Sequence, residues 1–156
     1  MLSIKNILYN IGCFGDIILF LSSLFVLRNN PVFLSFYTIG FIFNYLINEF
    51  LKFVIQEPRP KEQKDFTKSP LHILLGIPNT GMPSQHAQST LYSTIFVFFS
   101  KRDAYWDIYF ILITIITCIQ RVLSNSHTIK QVFVGSLLGM FIGYIFYRIA
   151  FNRLKK

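Results

Sequence analysis

The sequence predicts an all-α fold, a polytopic membrane helix bundle with about five transmembrane helices, and three observations point to it. Apolar runs of about 18 residues or more recur along the chain, the length an α-helix needs to cross a hydrocarbon core of about 30 Å. Hydrophobic residues make up 53% of the 156 positions and charged residues only 14%, with a mean hydropathy of +0.48, whereas soluble domains carry about a quarter charged residues. Tight polar turns, "RNNP" at 28–31 and "KRDAYW" at 101–106, separate successive runs, which makes neighbouring helices antiparallel. A chain of this length has room for one domain, taken over residues 1–156.

The spans are expected at 7–27, 32–55, 84–100, 106–123 and 129–151, the third being the shortest. Lys5 ahead of the first apolar run has the look of a signal sequence. Asn10 and Asp16 interrupt that run and no small-x-small cleavage site stands out, so it is read as a retained span. The connection from 56 to 83 is basic at first, "PRPKEQKDFTKSP", and then apolar, "LHILLGIP", which predicts a short stretch lying in the membrane interface or re-entering it. Cys13 and Cys118 fall inside apolar segments and read as small core residues. The net charge of +8 flanks apolar segments and forms no soluble basic block. That distribution suits membrane topology and anionic headgroups and argues against nucleic acid.

If the five helices alternate, the end of the second, the start of the third, the end of the fourth and the start of the fifth share one face. On it lie Lys52 and Arg59, then "GMPSQH" at 81–86, then "RVLSNSHTIKQV" at 121–132. All three histidines belong to that face. A charge near the hydrocarbon centre costs roughly 2.5–3.5 kcal/mol on insertion scales, so such a concentration asks for a function.

Lys52, Arg59 and Arg121 could cradle a tetrahedral dianion, the arginines as bidentate forks and the lysine as a point charge. Main-chain N–H groups after Pro83 would add donors and the positive end of a helix dipole. His86 and His127 suit opposite tasks near neutral pH, one attacking as neutral imidazole and the other giving a proton to a leaving oxygen. No Cys/His cluster has metal-ligand spacing, and the cations could carry the charge that a metal would otherwise balance; no metal or cofactor is expected. Taken singly, each residue has an ordinary reading. Lys52 can snorkel, Arg59 can mark topology, Ser84 can cap the third helix, and either histidine can be a satisfied polar side chain. Their joint placement on one face sets the functional reading apart.

"KFVIQEPRP", "PSQH" and "RVLSNSH", in that order, resemble the three signature motifs of the type 2 phosphatidate phosphatase superfamily, membrane lipid phosphatases related to vanadium haloperoxidases. "NEFLKFVIQEPRP", "GMPSQHAQ" and "HTIKQV" are similar to the dolichyldiphosphatase branch, and the likeness covers roughly residues 44–143. It implies that His127 is a nucleophile forming a phosphohistidine and that His86 protonates the leaving group. Lys52, Arg59, Ser84, Arg121 and the main chain at Gln85 would hold the phosphoryl group, and Gln131 would orient His127 through its other ring nitrogen.

The chain departs from the wider superfamily at several points. Gln131 stands where most members have Asp, Gln85 replaces a small residue, and Gln120 replaces a frequent Ser. The 61–80 loop is longer than in dolichyldiphosphatases, and five helices stand against the usual six.

The expected function is hydrolysis of a polyprenyl (dolichyl) diphosphate to the monophosphate in the lipid bilayer, recycling a glycosyl carrier lipid. Phosphatidate, undecaprenyl diphosphate or a sphingoid phosphate are alternative substrates, and a catalytically inactive lipid-binding protein is the alternative outside enzymes. The site face carries eight Lys or Arg and the opposite face seven; without the three candidate phosphate ligands the site face has five. The positive-inside rule then expects the site on the lumenal side, in line with an endoplasmic reticulum enzyme. The sequence does not specify an oligomeric state.

Overall fold

The computed structural model describes residues 4–61 and 80–155. The expected interfacial stretch at 71–78, His72, Lys64 and Lys68 lie outside the described residues. Among the described residues six helices follow in order: α1 (Ile4–Cys13), α2 (Gly15–Leu27), α3 (Pro31–Ile55), α4 (Gln85–Lys101), α5 (Ala104–Leu123) and α6 (Ile129–Leu154). The all-helical membrane bundle expected from the sequence is what forms.

Local chemistry sets several helix ends. Asn30 caps α3 by accepting from the Phe33 N–H, with Pro31 in the first turn. The same helix stops where Gln56 turns left-handed at φ 50° and returns its N–H to the Lys52 carbonyl. Asp103 caps α5, and Thr128 with Gln131 forms a capping box at the head of α6.

One expectation about the spans is corrected. The first span is not one helix: α1 and α2 meet at Phe14 with a bend of 69°. Gly12 and Gly15 flank the bend and press against α5, where an added Cβ would collide with Gln120 and Thr117 respectively. The missing side chains allow α1 to fold against α5. Among the described residues, three helices (α3, α5 and α6) are long and apolar enough to cross a membrane, or four if the bent pair counts as one span, against the five expected. The helix that falls short is α4, with 17 residues.

Helix α4 packs against α2, α3, α5 and α6, so its polar residues face protein. Gln88 donates to the Asn44 carbonyl and to Asn44 Oδ1, both at 2.9 Å, and accepts from Asn48 Nδ2 at 2.7 Å. Tyr92 Oη donates to the Tyr37 carbonyl, and Tyr37 Oη lies 2.8 Å from Ser93 Oγ. Where no water reaches, such groups must be satisfied internally. A stripe of Gly135, Gly139 and Gly143 on α6 faces the α4 backbone. A Cβ at 135 would stand 2.5 Å from the Ser84 carbonyl oxygen and one at 143 would stand 2.7 Å from that of Tyr92. Small residues at this spacing are how membrane helices approach closely. Large apolar side chains such as Leu21, Ile39, Phe50, Ile108 and Phe133 remain on the outside, as they should against lipid tails.

Candidate active site

The ends of α3 and α5 and the starts of α4 and α6 meet at one end of the bundle through backbone bonds. The Ser84 N–H donates to the Gln131 carbonyl at 3.1 Å, joining the head of α4 to that of α6. The His127 N–H donates to the Arg121 carbonyl at 3.1 Å, folding the α5–α6 turn back on α5. The Gly81 N–H donates to the Glu57 carbonyl at 2.8 Å, beside an isolated bridge between Pro58 and Thr80. Three segments distant in sequence are tied together before any side chain is considered.

The cations are anchored within this framework. Lys52, 3% exposed, is paired at 3.0 Å with Glu49 one turn earlier. Arg59 donates from Nε to the Thr80 carbonyl at 3.1 Å and from Nη1 to the Ser126 carbonyl at 3.3 Å. Burial, with the neighbouring Arg121 charge second, pulls its guanidinium down to about 10, still a cation at neutral pH. Arg121 is buried; its Nε donates to Gln120 Oε1 at 2.7 Å, and its Nη2 lies 3.8 Å from Cys13 Sγ. Fixed cations of this kind need little reorganisation to receive an anion.

His127 is 2% exposed. Both neighbours of its Nδ1 are carbonyl oxygens, Gly81 O at 2.9 Å and Gln131 Oε1 at 3.3 Å, so Nδ1 carries the proton and Nε2 keeps its lone pair. Burial first, then the charges of Arg59, Lys52, His86 and Arg121, hold this imidazole well below the ordinary histidine range. It is neutral at physiological pH. Charges from the separate motifs thus act on one ring.

His86, in the first turn of α4, has Nε2 between a cation and an anion: Arg121 Nη1 at 3.5 Å and Asp16 Oδ2 at 3.7 Å. The guanidinium can donate to its lone pair, and the carboxylate faces it when it is protonated. Ser84 occupies the N-cap position of α4, but its side chain makes no capping bond. Its buried Oγ has no hydrogen-bond partner among the described residues, an orphaned donor beside the cations. Gln85 sends its amide Nε2 along its own helix to Ser89 Oγ at 3.4 Å.

Four carboxylates or amides near these residues were not assigned roles from sequence. Asp16 read only as an interruption of the first apolar run, yet the bend after α1 brings it to His86. The sequence signal that could have found Glu49 is its spacing of three from Lys52. Asn48 joins the Gln88 network and also donates to the Pro83 carbonyl at 3.3 Å. Glu57 pairs with Lys130 at 2.9 Å, and this bond holds its carboxyl below the usual range. Beside the site, an apolar cavity of about 500 Å³ is lined by α1 and the end of α5, including Leu8, Tyr9, Ile116, Ile119 and Leu123. Among the described residues no group of three or more His, Cys, Asp or Glu could hold a metal.

A family model described as the PAP2 superfamily matches residues 33–155. Dolichyldiphosphatase 1 of Dictyostelium discoideum is 29% identical to the chain over 120 residues, covering 70% of this chain and 48% of that protein. The chain thus spans about half the length of this curated relative. No solved structure is significantly similar.

Proposed function

The chain belongs to the PAP2 superfamily, and on that footing we propose that it is an integral-membrane phosphatase that hydrolyses a polyprenyl diphosphate such as dolichyl diphosphate to the monophosphate. The supporting observation is the hydrogen bonding of His127: Nδ1 is committed to two oxygens, which leaves Nε2 as a neutral nucleophile among three anchored cations. In the proposed reaction Nε2 attacks the terminal phosphorus and the bond to the bridging oxygen breaks. His86 gives its proton to the leaving lipid monophosphate. Water then attacks the phosphohistidine, His86 takes the water's proton, and inorganic phosphate leaves. Lys52, Arg59, Arg121, the Ser84 hydroxyl and the Gln85 N–H carry the charge that spreads over the transferred oxygens.

The relative's name supports a dolichyl substrate. The cavity between α1 and α5 offers an apolar berth for the first isoprene units beside the cations. With the three candidate phosphate ligands set aside, the bias of basic residues toward the opposite face favours a lumenal site in the endoplasmic reticulum membrane. Because the anchored cations supply the charge, turnover is expected to persist in EDTA; a strict divalent-metal requirement would count against the mechanism.

The test is phosphate release by the purified protein in detergent from a prenyl diphosphate, a diacyl monophosphate and a sphingoid monophosphate, with His127→Ala as control. Release that is fastest from the prenyl diphosphate and absent in His127→Ala is the expected result. Preference for a monophosphate would reassign the substrate. Lipid binding with no release, unchanged in His127→Ala, would make the protein a binding module.

A further inference from the structure

Glu57 is the one charge of the "QEPRP" stretch to which the phosphate reading gives no task. Its carboxylate meets the side chain of Gln131, and Gln131 meets His127. The Gln131 Nε2 group donates to Glu57 Oε1 at 3.1 Å and to the Pro58 carbonyl at 2.9 Å. The Gln131 Oε1 atom accepts from the Thr128 N–H at 3.2 Å and from His127 Nδ1 at 3.3 Å. Turning the amide over would set its NH₂ against two N–H donors and its oxygen against a carboxylate and a carbonyl. All four contacts would become repulsive.

Of the two acceptors that impose this orientation, only Glu57 carries charge. Its second oxygen is engaged by Lys130 at 2.9 Å, and its own carbonyl accepts from Gly81, whose carbonyl in turn accepts from His127 Nδ1. A cross-linked circuit therefore runs from Lys130 through Glu57 and Gln131 to the imidazole. A hydrogen-bonded chain ending in a carboxylate polarises each member toward the ring, much as a ligand's outer partners set its tautomer and basicity.

We propose that Glu57 is a positioning residue for the phosphatase reaction, acting through Gln131 to hold His127 as the Nδ1–H tautomer and to place a negative charge one amide away from the imidazole. The neutral glutamine is an insulated link, and the carboxylate that other arrangements put directly on the histidine sits one residue further out. This inference rests on His127 being the nucleophile.

The test compares kcat and KM for prenyl diphosphate hydrolysis in Glu57→Ala and Glu57→Gln, each in the native and the Gln131→Asp background, with thermal midpoints recorded for all. Outer partners of this kind are worth about 10–100-fold. Glu57→Ala is expected to lower kcat within that range with KM and the midpoint little changed. Glu57→Gln, which keeps an acceptor for Gln131 Nε2, should recover part of the loss. In the Gln131→Asp background, where a carboxylate faces the ring directly, Glu57→Ala should cost less than about 3-fold.

A kcat for Glu57→Ala within about 3-fold of the parent would overturn the proposal. So would an equal loss in both backgrounds, which is what a purely structural pin between residues 57 and 81 would give. Should Gln131→Asp be inactive, the native background decides: recovery by Glu57→Gln supports the proposal, and equal loss in the Ala and Gln variants refutes it. An active His127→Ala would sink the parent reading instead, so the two failures are distinguishable.

Discussion

The two halves of α4 are held by different physics. In its first turns Gln88 is fixed by directional bonds to Asn44 and Asn48, and His86 stands between Arg121 and Asp16. Two turns later the partners are rings. Phe96, fully buried, meets Tyr37 edge-on at 5.3 Å, Phe33 at 6.2 Å and Tyr147 at 6.5 Å. One end is specified by hydrogen-bond direction and charge, the other by shape, because edge-to-face packing fills space without needing a donor. Damage at the first end should appear in turnover, and damage at the second in stability.

The sharpest way to break this comparison is at the polar end. His127→Ala should reduce phosphate release to background and cost about 1–3 kcal/mol of stability, because the Gly81 and Gln131 oxygens lose their donor; a larger fall would mean that the imidazole also holds the bundle together. Phe96→Ala, at the opposite end, should lose about 3–5 kcal/mol of stability through the cavity it leaves, measured by thermal or denaturant unfolding in detergent. KM should stay near the parent value, and a KM shift larger than the stability loss would show that the ends are coupled. Lys52→Ala or Arg121→Ala should weaken transition-state stabilisation by about 2–4 kcal/mol, read as a fall in kcat/KM.

The smallest effect is on pH. His127 is held below the ordinary histidine range, so lowering the pH protonates Nε2 and removes the proposed nucleophile only below that range. The acid limb of kcat/KM should lie there. Arg59→Gln removes one of the repelling charges, which raises the His127 value and moves the limb to higher pH. A limb that moves the other way, or not at all, would detach Arg59 from the imidazole.

Much of this architecture was legible because membrane segments leave few innocent explanations for charge. Lys52, Arg59, Arg121 and the two histidines stood out against apolar surroundings, and helix alternation was enough to put them at one end. What could not be read depended on partners across space. The break at Phe14 has its reason in Gln120 and Thr117 of another helix, so the apolar run alone looked continuous. The polarity of α4 read as an ordinary short span because nothing local says that Gln88, Ser93 and Thr94 face protein. Asp16 became a neighbour of His86 only through the bend, and the stripe at 135, 139 and 143 matters only because α4 lies against it. The likeness to dolichyldiphosphatases carried the role expected of Gln131, but not the carboxylate on its far side.

That stripe of glycines acts as a gauge block between two rods. Helix α6 carries the stripe along its shaft and Gln131 at its tip, with Gly139 about 12 Å down the axis from that glutamine at 1.5 Å per residue. Widening the gap at Gly139 by a single methyl would tilt the rod, and the tilt would arrive at the tip as a misaligned imidazole. Alignment of the proposed reacting nitrogen is thus calibrated two turns away from it, by atoms that are missing.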